Sequence, residues 1–240
     1  MKKIGLIFTI LLSICFNNIS AQISTGGMPV SFDKLNKISA TVPNEKMETV
    51  DIETLISEDL VNDLNNEIPW RFGKNLFVDI SPEKNGLTEL LSDGSKLWRV
   101  TIESENAVSL NFSFDRFILP EGAKLWIYNS DHSEILGAFT EANNQEDGFF
   151  ATTLIFDSKI TIEYYEPAIV EFSGEIHLYR VTHGYRNGYE YAKGLNTSGS
   201  CQVNVNCNDG ADWQDEKRGV CMLVVGGDGF CSGSLIRVHP

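Results

Sequence analysis

No cysteine lies between Cys15 and Cys201, so core packing and hydrogen bonding, not cross-links, must hold that long stretch together. Cations are also scarce. Nineteen Lys and Arg face thirty-three Asp and Glu, a formal net charge of -14. That balance excludes an extended phosphate-binding face, and no nucleic-acid motif is present. Only four histidines are available for general-base or metal chemistry. Past the first residues no apolar run is long enough for a spanning helix, so no membrane association is expected once that segment is removed.

The N-terminal segment has the form of an export signal. Lys2 and Lys3 precede the apolar "IGLIFTILLSICF", and the small-residue "ISA" ends at Ala21, which predicts cleavage between Ala21 and Gln22 and a secreted product. In an oxidising compartment, Cys201, Cys207, Cys221 and Cys231 are disulfide candidates. Their spacings, Cys-x5-Cys, Cys-x13-Cys and Cys-x9-Cys, lack the close pair typical of zinc sites, so no metal and no cofactor is expected.

At 240 residues and 42% hydrophobic content the chain has room for one large or two modest domains. Residues 22–68 divide into a polar, irregular lead-in and an amphipathic helix. In the helix Val50, Ile52, Leu55, Ile56, Leu60, Val61 and Leu64 recur at helical spacing, which predicts that this face packs on a neighbour. Residues 69–187 change to strand patterns: "KLWRVTIES", "AVSLNFSFDRFIL", "AKLWIYNSD", "FFATTLIF", "KITIEYYEP" and "EIHLYRVTHGYR". These are short, rich in β-branched and aromatic residues, and separated by turn chemistry such as "SDGS" and "LPEGA". Strands at this spacing without intervening helices predict a mainly β domain, an antiparallel β-sandwich of jelly-roll type. Residues 188–200, small, polar and Gly-rich, read as a linker before the cysteine-bearing segment.

Candidate catalytic residues are few. His132, His177, His183 and His239 each read as structural, and Asp115 as a strand-end carboxylate paired with Arg116 or solvent. "GFCSGS" does not form a nucleophile elbow, and "VVGGDGF" lacks the glycine spacing of a dinucleotide fingerprint. Asn111 and Asn196 stand in glycosylation sequons. Trp70, Trp98, Trp126, Tyr164 and Tyr165 could line a ligand face, although strand alternation assigns most of them to the core.

"GSCQVNVNC" followed by "RGVCMLVVGGDGFCSGSLI" resembles the start of the mature domain in bacterial lysyl endopeptidases and related trypsin-like serine peptidases. Upstream, "PWRFG", "DGSKLWRVTIES", "AVSLNFSFDRFILPEGAKLWIY" and "VTHGYR" resemble that family's propeptide, in order. The resemblance implies a secreted, Lys-directed serine endopeptidase precursor, with this chain as its N-terminal part. Residues 201–240 would be the first strands of an incomplete trypsin-like double β-barrel, too few to close one barrel, and therefore poorly ordered or loosely docked. The Ser-His-Asp triad would lie beyond Pro240, since His239 follows Cys231 too closely to be its histidine. Cys201, Cys207 and Cys231 would pair with cysteines further on, whereas Cys221 has no counterpart in the family. Lys193-Gly194 would be the processing bond, with Arg186 second. The partners implied are protein or peptide substrates of the full-length enzyme, and the peptidase domain that the propeptide serves. The competing readings are a secreted, non-catalytic β-sandwich binding module and a protease-inhibiting prodomain.

Overall fold

A computed structural model describes residues 24–33, 38–65, 67–187 and 208–234. The expected strands dominate it. The elements run β1 (Asn44–Lys46), α1 (Ile52–Asn62), β2 (Trp70–Arg71), β3 (Gly73–Ile80), β4 (Leu87–Leu90), β5 (Lys96–Glu103), β6 (Ser109–Ile118) and β7 (Lys124–Asn129). They continue with β8 (Ile135–Phe139), β9 (Phe150–Ala151), β10 (Lys159–Glu166), β11 (Glu175–Gly184), α2 (Gln214–Arg218), β12 (Val220–Val225) and β13 (Asp228–Ser234).

Two sheets face each other. One has the order β5-β10-β7-β8, with β1 and β4 added beside β5; the other has the order β3-β11-β6-β9. From β5 to β7 the chain alternates between the sheets; after the β7-β8 hairpin it alternates again through β9, β10 and β11. That strand order is the jelly roll expected from the sequence. Among the described residues no barrel closes. One pairing departs from the antiparallel expectation: β1 runs parallel to β5, with Asn44 opposite Thr101 and Lys46 opposite Glu103.

Period-two alternation builds the core. Trp98, Val100 and Ile102 of β5 point inward to meet Leu110, Phe112 and Phe114 of β6, Ile127 of β7, Ile160 and Ile162 of β10, and Leu178 and Val181 of β11. The Trp98 indole N–H donates to the Asn85 carbonyl at 2.7 Å, so even its polar atom is satisfied. The "FFATTLIF" strand does not form as expected. Only Phe150 and Ala151 pair as β9, because at the next position Thr152 turns its hydroxyl to accept from Phe112 N–H at 3.0 Å; Ile155 rejoins through a single bridge to Leu110.

The lead-in is ordered where described. It straps the outer face of the first sheet, which is why β5 and β10 are buried on both sides. Phe32 stacks on His132 and meets Tyr128 edge-on, with ring centroids 4.1 and 4.9 Å apart. Beneath it the wholly buried Glu163 carboxylate accepts from Ser31 N–H and from the Tyr128 hydroxyl, both at 3.0 Å. Arg99, also buried, donates to the Ser39 carbonyl at 2.7 Å and to Glu89 at 2.5 Å. Each buried charge therefore has a hydrogen-bonding partner.

Phe112 has no exposed surface and its neighbours cannot collapse across two sheets. Phe112→Ala is expected to lower unfolding stability by about 3–5 kcal/mol, measured by urea denaturation. A loss below about 1 kcal/mol would contradict the core assignment.

Candidate functional site

The sandwich carries an appendage at one edge, and at that junction a buried carboxylate, Asp59, is ringed by half-buried arginines. Helix α1 is started by Asp51, whose side chain accepts from Thr54 N–H at 3.1 Å. One turn on, Leu55 and Asp59 sit one above the other and form the buried face of the helix. Asp59 is only 3% exposed. Its carboxylate accepts from Arg71 Nε at 2.9 Å and from the Tyr185 hydroxyl at 2.7 Å, and lies 3.0 Å from Arg186 Nη1. Arg71 also donates to Glu58 at 2.9 Å and to the Leu55 carbonyl at 3.0 Å. Arg186 clamps Asp63 at 2.5 Å and lies over the Trp70 ring, 4.8 Å from its centroid.

Two stretches of sequence thus meet here. Trp70, Arg71, Phe72 and Gly73 come from "PWRFG"; His183, Gly184, Tyr185 and Arg186 come from "VTHGYR". The Phe72 carbonyl accepts from both Tyr185 and Arg186 N–H, at 3.0 and 3.2 Å. Burial works against charge on Arg71, but hydrogen bonds to Glu58 and Asp59 outweigh it, so the guanidinium is harder to deprotonate than usual. Burial, then the bond to Asp59, pushes the Tyr185 phenol up.

The hairpin of β12 and β13 docks on this edge. Asp228 and Gly229 of β13 pair antiparallel with Arg71 and Trp70. At the hairpin turn the Gly227 carbonyl accepts from Phe72 and Gly73 N–H at 2.7 and 3.0 Å, and the Gly226 carbonyl from the Asn75 side chain at 2.7 Å. Gly227 has φ +90°, and a Cβ there would lie 2.6 Å from the Gly73 carbonyl oxygen. A cleft of about 210 Å³ runs between helix and hairpin, lined by Asp59, Asn62, Asp63, Ile68, Pro69, Arg71 and Asp228. Burial pushes the Asp228 carboxyl up from the usual range; the Arg71 charge works against this and the Asp59 charge with it.

Asp228 and Gly229 are thus held by a defined strand pairing at the point where the tail meets the edge. The processing positions Ala21, Gln22, Lys193 and Gly194 lie outside the described residues, as do Cys201, Cys207, Asn196 and His239. Cys231 lies on β13 opposite Leu223, and its side chain is outside the description. Cys221 is a half-buried free thiol on β12, opposite Gly233. Arg186 is a poor alternative to Lys193 for processing: a protease would have to strip its side chain from Asp59, Asp63 and Trp70.

Among the described residues the histidines do not assemble a catalytic site. Nδ1 of His183 is 2.7 Å from the Ser104 hydroxyl, yet both residues are buried and no carboxylate orients the ring. Burial lowers the His183 pKa, leaving it neutral. On the outer face of the second sheet, His177 has Asp115 on Nδ1 at 2.5 Å and Asp79 on Nε2 at 2.9 Å. Asp115 therefore pairs with His177 and not with Arg116, which bridges Glu175 at 2.8 Å. With both nitrogens engaged, His177 is an ion-pair clamp. Among the aromatics, Trp98, Trp126 and Tyr164 are buried and Trp70 and Tyr165 half-buried, so they form no open ligand face. Asn111 is buried too, which excludes it as a glycan acceptor in the folded sandwich. Among the described residues no His, Cys, Asp and Glu group could hold a metal ion, and no helix is long and apolar enough to cross a membrane.

Fold and junction define a jelly-roll sandwich with a β-hairpin appended to its edge. Residues 195–238, which include that hairpin, match the family model for the lysyl endopeptidase C-terminal domain, which relates this segment to the lysyl endopeptidases and supports a peptidase-related function in general. No solved structure matches the chain.

Sequence reasoning missed Asp59, Arg71, Gly73 and Gly227 as a site, because their partners lie far apart along the chain. Gly227→Val removes the space the turn needs. It is expected to speed amide exchange at Phe72 and Gly73 at least about tenfold while leaving Phe112 protected. Unchanged exchange at Phe72 and Gly73 would contradict the docking.

Burial opposes the charge of His177, but hydrogen bonds to Asp115 and Asp79 together raise its pKa above the ordinary 6.5. The clamp's stabilisation is then full below pH 6.5 and is lost as pH rises through the folded-state pKa. Wild-type melting temperature is expected to decline over that window relative to His177→Gln. Parallel pH profiles for the two proteins would refute the clamp.

Proposed function

We propose that this chain is the N-terminal part of the precursor of a secreted, Lys-directed serine endopeptidase. Residues 1–21 are the export signal, 22–187 a propeptide whose centre is the jelly roll, 188–200 the linker with its processing bond, and 201–240 the first strands of the peptidase domain. The observation that carries the reading is the pairing of β13 with β2, which joins the segment matching the peptidase family to the edge of the sandwich. A strand added to a preformed edge is held in register by main-chain hydrogen bonds, and a barrel could then be built outward from it. The propeptide therefore assists folding and holds the enzyme latent until the linker is cut.

Catalysis belongs to the longer enzyme: acyl transfer through a serine, with histidine as base and aspartate orienting it. Cys201, Cys207 and Cys231 await partners supplied by that remainder, and substrates are proteins or peptides cut after lysine. A second reading, a non-catalytic binding module, draws support from Phe77, which is 75% exposed beside Tyr179 on the outer face of the second sheet.

Processing separates the two. Treating the folded chain with a trace of a lysyl endopeptidase is expected to give a single early cut with a new N-terminus at Gly194, lost in Lys193→Gln. Early cuts elsewhere, with Lys193-Gly194 intact, would favour the binding module.

A further inference from the structure

Helix α1 is amphipathic the wrong way round. Its buried face is Leu55 and Asp59, held by Arg71, Tyr185 and Arg186, while the apolar row beside that face is left in water. Ile56 is 43% exposed and Leu60 71%, at i and i+4 with Val61 beside them, and in the turns just past the helix end Leu64 is 84% and Ile68 43% exposed. Branched apolar side chains aligned on one face and left in water mark an interaction surface. The charge network dictates this orientation, since turning the stripe inward would expose the apolar contacts of Leu55 and tear the Asp59 carboxylate from its partners.

We propose that the Ile56–Leu60–Leu64 stripe, extended by Ile68, is the docking surface for the folded body of the peptidase, through an apolar patch rimmed by Lys or Arg. The inference rests on the propeptide reading above and names the surface that reading leaves open. Two observations select this occupant. Ile68 and Asp228 line the same cleft, so the stripe is continuous with the edge where the peptidase-related hairpin is already paired. The hairpin itself also leaves Val220, Leu223 and Val225 exposed, so it offers further apolar surface to the same body. Acidic residues also flank the stripe (Glu53 and Glu67, beside Glu58 and Asp63, which Arg71 and Arg186 already hold), and the chain carries a net charge of -14. Two copies facing each other would bring these carboxylates together, whereas a basic rim would be drawn to them.

The test uses the full 240-residue chain and, as probe, a purified lysyl endopeptidase whose catalytic serine has been irreversibly blocked. Binding is followed by calorimetry for wild type, Leu60→Ser/Leu64→Ser and Leu64→Lys, with melting temperatures recorded alongside. The expected result is at least a tenfold loss of affinity in both variants with unchanged melting temperature, because the substituted side chains project into solvent. Wild-type binding that both variants retain overturns the stripe but leaves the propeptide reading standing. Absence of wild-type binding overturns both. Sedimentation that shows a wild-type dimer, dispersed by Leu64→Lys, would assign the surface to self-association and overturn the proposal.

Discussion

The appendage and the helix both depend on one buried carboxylate. Burying an ionised group costs several kcal/mol unless it is paired and hydrogen-bonded, and Asp59 meets that condition only when Arg71, Tyr185 and Arg186 converge on it. Those residues come from the strand leading into β3 and from the chain just past β11. Satisfying Asp59 thus draws together the beginning and end of the sandwich and fixes the helix across them. Arg71 is also one of the two β2 residues that β13 pairs with. The geometry of the hairpin edge is therefore inherited from the charge network, and main-chain hydrogen bonds add the register.

Much of the sandwich was legible in the residues. Five of the six expected strands formed within a few positions of where alternation placed them, because a half-buried strand advertises its inner face every second residue. The exceptions have physical causes. Strand β3 was not read from the sequence because Lys74 and Phe77 break its alternation: the charged residue shares the face of buried Leu76, and the apolar one is on the outer face. β1 and β4 are short edge additions whose pairing is decided by β5. "FFATTLIF" has strand composition throughout, but the Thr152 hydroxyl accepts the Phe112 N–H in place of a ladder carbonyl, and composition does not reveal that competition.

The helix shows the limit of periodicity most clearly. Its existence and its apolar row were readable; which face would be buried was not. Pattern reasoning assigns the apolar side to the interior, and here two arginines distant in sequence outbid it for the acidic side. The junction shares that property: "PWRFG" and "VTHGYR" were visible as separate stretches, and only the fold reveals that they are two halves of one platform. The family match covers residues 195–238, leaving the sandwich to be argued from its own packing.

Where Gly227 lands has a consequence for the order of events during folding. Its carbonyl rests on the amides of Phe72 and Gly73, at the start of β3, and its α-carbon faces Thr182, near the end of β11. Gly73 and Gly184 are register partners, so this seat exists only after the last strand of the jelly roll has inserted between β3 and β6. Contacts so distant in sequence form late, because the intervening chain must first be closed into a loop. The hairpin therefore has nowhere to sit on an unfinished sandwich. Timing is written into the landing site: the hairpin is received only by a domain that has already completed itself.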